Sequence, residues 1–372
     1  MYKINPDRNT PWNTLPELPI DESIYRTTEI LEKLGNAKAA LARLQGRSIV
    51  IPNQGLLINT ISLQEAKASS EIENIFTTDD ELYKAYSENT EKSNKASKEV
   101  LRYREALWKG FYLLQTENQF SVDYLVNIFQ EIIQTNDDIR LDFNNTTIKQ
   151  GGTGPNSGKV IYTPPRGKQL ITDKLHNLIE FINNDEKFRV DPLIKLAIAH
   201  YQFEAIHPFR DGNGRTGRIF NIHILINKGL LDLPILFLSK YIIEHKEDYY
   251  NGLMGVSQRG DWKTWILYML DSIEQTSNDT YNKINDIVAA REAILAYITR
   301  EAKSIRKKEE LVNMLFSQPY IKVKSLQEKK IYSEITAREY LNKLTELKIL
   351  EKKTIEGHHY YLNTELYRIL SE

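Results

Sequence analysis

His207-Pro208-Phe209-Arg210-Asp211-Gly212-Asn213-Gly214-Arg215-Thr216-Gly217-Arg218 holds an imidazole, a carboxylate, a Gly-Asn-Gly turn and two arginines three residues apart. At roughly 5% usage per residue type, eight or nine such fixed positions recur by chance on the order of once in 10^11 windows, so accident is a poor explanation. Upstream, Pro192 suits a first helical turn, and Leu193, Leu196 and Ala197 mark an apolar face that runs through Glu204. Downstream, a second helix starts near Gly214, with Ile219, Ile222 and Ile226 toward the core. The stretch therefore reads as a loop between two helices.

Its chemistry follows from the residue types. The helix that begins at Gly214 has first-turn N–H groups without helical partners, and these form an anion site at the turn. Gly212, Gly214 and Gly217 let backbone approach a phosphate closely. Arg215 and Arg218 project from one face, with Thr216 between them, and can grip successive phosphates. Asp211 is placed to hold a divalent cation that bridges phosphate oxygens, as magnesium does with one or two carboxylates. Asn213 can donate to a nonbridging oxygen. His207 precedes the turn, and its near-neutral pKa suits a general base that takes a proton from an incoming hydroxyl. Phe209 reads as a core anchor for the loop.

The remainder of the 372-residue chain bounds the possibilities. Its net charge of −1 gives no global case for nucleic acid or an anionic membrane. The absence of cysteine excludes disulfides, thiolate catalysis and Cys-ligated zinc. Met1 to Arg8 lacks the apolar stretch of a signal peptide, and no run approaches the ~18 apolar residues of a membrane span. The expectation is a soluble, cytoplasmic protein with no membrane partner. Residues 1–20 are Pro-rich and extended, with Trp12 as an anchor. Helical periodicity runs from Ile24 to about Gln115, with Leu31, Leu34, Ala37, Leu41 and Leu44 at helical spacing and a further helix over Leu63 to Phe76. Ile148-Lys149-Gln150 and Lys159 to Thr163 read as strands of a hairpin around a glycine-rich loop that starts at Gly151. Helices resume at Asp173 and fill 240–302. His200 and His223 read as packed histidines, and His358-His359 lacks the further ligands of a metal site. Residues 300–372 carry 15 basic and 11 acidic residues. They pattern as helices at Glu309 to Phe316, Lys324 to Lys330 and Thr336 to Leu347, then a two-stranded wing from Ile349 to Leu362. This tail resembles a winged helix-turn-helix domain, with Thr336 to Lys348 in the recognition position.

The pattern His-Pro-Phe-x-Asp-Gly-Asn-Gly-Arg-x-x-Arg resembles the signature of Fic (filamentation induced by cAMP) proteins at every fixed position. The resemblance implies a mainly α fold: a Fic-type helical core with a β-hairpin flap, an N-terminal helical region and a C-terminal winged helix-turn-helix. The implied divisions are 1–95, 96–290 and 291–372. It further implies protein adenylyltransfer, in which AMP moves from ATP to a Ser, Thr or Tyr hydroxyl of a protein and pyrophosphate leaves. By this likeness His207 is the base and Asp211 the Mg2+ ligand. Asn213 and the turn amides take the α-phosphate, and Arg215 and Arg218 the β- and γ-phosphates.

Ser69-Ser70-Glu71-Ile72-Glu73-Asn74 resembles the family's inhibitory motif, Ser/Thr-x-x-x-Glu-Gly/Asn. Glu73 would pair with Arg218 and remove the γ-phosphate clamp, with Ser69 and Asn74 completing the motif. In some relatives this glutamate also helps reverse the modification. The hairpin matches the family's flap, with Ile148, Lys149, Gln150 and Gly151 holding the target as an added strand. Tyr249-Tyr250 and Gln258 lie where relatives line the base pocket. Self-modification, with 21 tyrosines available, and a homodimer are consistent with relatives. Two other readings stay open: transfer of UMP, GMP, phosphocholine or phosphate by the same fold, and a nucleotide-sensing regulator that binds DNA through residues 300–372.

Overall fold

Fifteen α-helices, one short 3-10 helix (Glu22–Ile24) and five short strands lie among the described residues, 4–5, 7–49, 54–88, 94–143, 146–149, 158–355 and 358–371, of a computed structural model. The mainly α class expected from the sequence is what the chain adopts.

The N-terminal arm is extended and docked. Trp12 donates its backbone N–H to Thr163 O at 3.0 Å and sets its ring edge-on to Tyr162. Lys174, Asn177 and Gln202 donate to the carbonyls of Leu15, Leu18 and Pro16, so the arm's unpaired backbone is satisfied by core side chains. Helix α1 (Thr28–Ile49) then lies beside the 40-residue helix α11 (Trp262–Glu301). The two run parallel, since Lys33 meets Asp271 and Glu274 while Arg47 meets Asn285 further on. The buried stripe of α1 is Ile30, Leu34, Ala37, Leu41 and Leu44. Leu31, expected on that face, is exposed, because the stripe starts one residue earlier.

Helix α2 (Gln54–Ile72) crosses the core between α4 (Lys95–Glu117) and α9 (Leu238–Glu244). Buried Glu65 fixes it there, accepting from Tyr103 Oη at 2.9 Å and from Ser239 N at 3.0 Å. The helix ends at Ile72, short of the expected Phe76. Asn74 takes a left-handed conformation (φ 63°), Asn74 N–H reaches Glu71 O and Ile75 N–H reaches Ser70 O, both at 3.0 Å. This pair of bonds is the Schellman termination, and it makes Glu73 the C-cap residue. Helix α3 (Asp79–Glu88) follows, and Lys67 bridges the elbow to Asp79 at 2.9 Å.

An amphipathic helix that the sequence reading passed over, α5 (Val122–Ile133), is capped by Ser121 and packs on α4. Strand β1 (Ile148–Lys149) pairs antiparallel with β2 (Val160–Tyr162), as expected of the hairpin, with a bulge between Ile148 and Lys149. Gln150 and Gly151, expected in the flap, lie outside the described residues. Helices α6 (Lys168–Asn183), α7 (Pro192–Ile206), α8 (Asn213–Asn227) and α10 (Lys246–Arg259) complete the core around buried Trp262 and Trp265.

Helix α11 runs through position 290/291 without a linker. Beyond it come α12 (Lys308–Ser317), β3 (Tyr320–Ile321), α13 (Val323–Glu328), α14 (Glu334–Glu346), β4 (Leu350–Ile355), β5 (His358–Asn363) and α15 (Thr364–Ser371). The antiparallel sheet has the order β3-β5-β4, which adds a third strand to the expected two-stranded wing. This unit packs on the α2–α3 elbow: α12 rests on α2, and Tyr320 Oη donates to Asp80 at 2.5 Å.

Candidate functional site

The loop between α7 and α8 is built from the inside. Asp191 caps α7 by accepting from Leu193 N–H at 3.0 Å, with Pro192 in the first turn. The helix stops because His207 turns left-handed (φ 50°, ψ 60°). Phe209 is fully buried and stacks on Phe129, with centroids 4.2 Å apart and planes 3° from parallel, so it is the anchor expected. Gly212 is left-handed (φ 70°) and opens α8. A Cβ there would lie 2.9 Å from Ile133, so two separate constraints require glycine.

Three residues expected to face a phosphate instead build the loop. The Asn213 carboxamide accepts from Phe209 N–H at 2.8 Å and donates to Phe209 O at 2.9 Å. Both ends are engaged, so its side chain braces the loop. Buried Thr216 donates its hydroxyl to Gly212 O at 2.9 Å, one turn back. A Cβ on Gly217 would lie 2.6 Å from Glu204 Oε1 and 3.0 Å from Phe203, so this glycine lets α8 approach α7. The N–H groups of Asn213, Gly214 and Arg215 remain at the helix start, where they have no helical acceptor.

Glu73 lies against this first turn. An ideal Cβ on Gly214 would be 2.3 Å from Glu73 Oε1 and 2.8 Å from Arg218 Nη1, so the carboxylate seats directly over Gly214. Arg218 is buried and donates Nη2 to Glu73 Oε1 at 2.9 Å, Nη2 to Ser69 O at 2.8 Å and Nε to Ser69 Oγ at 2.7 Å. Ser69 and Glu73, four apart as the sequence placed them, thus meet one guanidinium. Lys246 Nζ steadies the same helix end on Ile72 O at 3.0 Å. Burial would push the Glu73 carboxyl up, but the charge and hydrogen bond of Arg218, with Arg215 and His207, hold it below its ordinary range.

The site opens into a cavity of about 190 Å³. Its walls include Glu73, Glu204, His207, Gly214 and Arg218. Ile148 and Tyr162 of the hairpin, Tyr201, and Tyr249, Tyr250, Leu253, Met254 and Ser257 of α10 also line it. Tyr250 thus lines the cavity. Gln258 does not: it points away and accepts from Arg8 at 2.8 Å, and Ser257, one residue earlier on the helix, takes the wall. Burial, assisted by Arg140, lowers the His207 imidazole to about 4, so it is neutral at pH 7 and able to accept a proton. Glu204 is raised to about 7 by burial, with Glu73 adding to it, against the pull of Arg218. Asp211 is exposed, and its Oδ1 accepts from Gly212 N–H at 2.6 Å. Arg215 lies 3.5 Å from Glu99 and 3.8 Å from Asp211. His200 and His223 are buried and bonded to Tyr249 Oη and Leu107 O, as packed histidines should be.

Sequence reasoning missed Glu204 and Arg140. Glu204 was legible as the one acid on an otherwise apolar helix, three residues from His207. Arg140 lies in irregular chain and carries no pattern.

Three family descriptions match the chain: Fic/DOC family N-terminal over 31–112, Fic/DOC family over 119–225, and protein adenylyltransferase SoFic-like, C-terminal domain, over 290–366. The chain belongs to the Fic family. A crystal structure of a Fic family protein from Desulfovibrio desulfuricans G20 shares the fold of this Fic protein, with a TM-score of 0.57 over 93% of this chain and 98% of that one, at 19% identity. Protein adenylyltransferase fic-1 of Caenorhabditis elegans is 30% identical over 105 residues, 28% of this chain and 19% of its own length. A probable protein adenylyltransferase of Aquifex aeolicus is 35% identical over 86 residues, 23% of this chain and 26% of its own. The Fic protein thus spans about a fifth to a quarter of the curated relatives it matches. Among the described residues no helix is long and apolar enough to cross a membrane.

Proposed function

We propose that this Fic protein transfers AMP from ATP to a Ser, Thr or Tyr hydroxyl of a protein, and that Glu73 holds it off. The observation that carries the reading is the Glu73 carboxylate seated over Gly214 and paired with Arg218, because it places a negative charge of the chain where a polyphosphate would lie. The relatives named as adenylyltransferases support AMP as the group moved.

The chemistry needs little beyond position and charge. His207, neutral at pH 7, takes the proton of the target hydroxyl. The hydroxyl oxygen forms a bond to the α-phosphorus, the bond from that phosphorus to the bridging oxygen breaks, and pyrophosphate leaves with the electron pair. The first-turn N–H groups of α8 stabilise the charge on the α-phosphate, and Arg215 and Arg218 hold the phosphates beyond it. Asp211 offers one exposed carboxylate beside this turn, a donor set that fits magnesium held jointly with phosphates; the ion supplies charge neutralisation of the leaving pyrophosphate. The hairpin holds the target backbone as an added strand beside the cavity.

The test is Glu73→Gly protein in a lysate with ATP labelled at the α-phosphate. Label should enter protein, and His207→Ala added to Glu73→Gly should abolish it. Label arriving from the γ-phosphate, or from UTP alone, would replace AMP with another transferred group.

A further inference from the structure

We infer that Arg140 is the positioning residue for His207, and that it joins the catalytic loop to the base of the hairpin. The inference rests on the reading of His207 as the base. Four successive carbonyls, from Ala205 to Pro208, carry the chain from the end of α7 through His207. Ile206 O and His207 O accept from the Arg140 guanidinium at 3.2 and 2.8 Å, and Pro208 O accepts from the Arg140 backbone N–H at 3.0 Å. The fourth, Ala205 O, accepts from Tyr162 Oη of β2 at 2.7 Å. The same guanidinium donates to Pro165 O, three residues past the end of β2. One side chain therefore ties the histidine's own peptide to the hairpin stem.

The tie has a purpose at His207. A left-handed residue with a side chain is strained, and it persists only where its surroundings over-determine it. At His207 the N–H is fixed on Phe203 O at 2.9 Å and the C=O on Arg140 Nε. Arg140 is itself buried, and among the described residues it forms no ion pair. Its partners are main-chain oxygens, two of them at the negative end of α7. A buried cation without a carboxylate is costly to keep, and an apolar residue would remove that cost but leave the carbonyls without donors. Five donors in a rigid fork satisfy several oxygens at once, which lysine cannot do. A target strand laid on the hairpin is thereby held in register with the imidazole.

The charged groups that act on His207 are Arg140, Glu73 and Asp211. Arg140 disfavours the imidazolium, so removing its charge raises the His207 midpoint from about 4, whereas a lysine that keeps the charge leaves it in place.

The experiment uses full-length Glu73→Gly protein with Arg140→Met or Arg140→Lys. Labelling kcat should fall ~100-fold in the Met variant and ~10-fold in the Lys variant, while ATP affinity by calorimetry changes less than about threefold, because the defect is misplacement of the base. NMR titration of the His207 ring should show the midpoint rising in the Met variant alone. Equal loss of kcat and ATP affinity, an unchanged kcat in folded Met variant, or a His207 midpoint that does not move would each overturn the assignment. If the Met variant does not fold, the Lys variant decides: kcat at the parent level, or no better than background with ATP affinity lost, overturns it. If Glu73→Gly protein with Arg140 intact labels nothing, the transferase reading fails, and the ring titration still decides the joint.

Discussion

Arg218 and Arg215 leave the first turns of α8 three residues apart, and the two flanks hold them differently. On the Arg218 flank the guanidinium is buried and makes three close bonds, to Glu73 and to both oxygens of Ser69. On the Arg215 flank the carboxylates of Glu99 and Asp211 stand at 3.5 and 3.8 Å, and Nε is buried without a partner among the described residues. One flank is closed by the chain itself. The other is also buried but more loosely held. An inhibitory contact needs to remove only one clamp, and this chain closes the one that lines the cavity.

The largest test of that difference is Glu73→Gly. Coupling free energies of this kind are typically about 1–3 kcal/mol, so labelling should rise by ~10- to 100-fold over the parent protein. The matching change on the other flank is Glu99→Gln. Glutamine keeps an acceptor at this position and Asp211 still stands beside Arg215, so labelling should change less than about twofold. Equal activation by the two substitutions would erase the distinction between the flanks.

A smaller effect is expected from the elbow that aims Glu73. Asn74→Ala removes the short polar side chain that lets this residue tolerate a left-handed conformation, at a cost of about 1 kcal/mol, which loosens the cap and should raise labelling about fivefold. Asn74→Gly keeps the conformation and should leave labelling near the parent level. Activation by Asn74→Gly as large as by Asn74→Ala would mean that the side chain, not the backbone, sets the elbow.

The elbow also shows where sequence reading succeeded and where it stopped. The motif, the hairpin and the tail helices were legible because periodicity and glycine placement are local signals. The Ser69–Glu73 spacing was legible too, but the helix end was set four residues too late. Left-handed Asn74 reads in sequence as one polar residue among several. Asn213 and Thr216 were assigned to phosphate because their types suit it, whereas tertiary closeness turned both inward to brace the loop. Helix α5 had the right spacing at Leu125, Ile128, Phe129 and Ile132 and was overlooked between more obvious segments. Arg140 could not be seen, since its meaning lies in four carbonyls distant in sequence. Pattern gives the elements and the residue types, while the partner of each side chain is decided by packing.

The smallest effect concerns proton affinity across the two flanks. Glu73 faces His207 and favours its charged form, while burial and Arg140 oppose it, and the balance leaves the imidazole at about 4. Removing the Glu73 charge takes away a raising influence, so in Glu73→Gly protein the midpoint falls below that of the parent. A base with so low a pKa is deprotonated throughout the neutral range. Labelling by the released enzyme should therefore stay flat from pH 7 to about pH 5 and decline only as His207 protonates near pH 4 and below. Glu99→Gln, on the far flank, should leave the midpoint unmoved. An acid limb near the ordinary histidine value, about 6.5, would show that releasing Glu73 opens His207 to water, and that the carboxylate closes the cavity as well as the arginine.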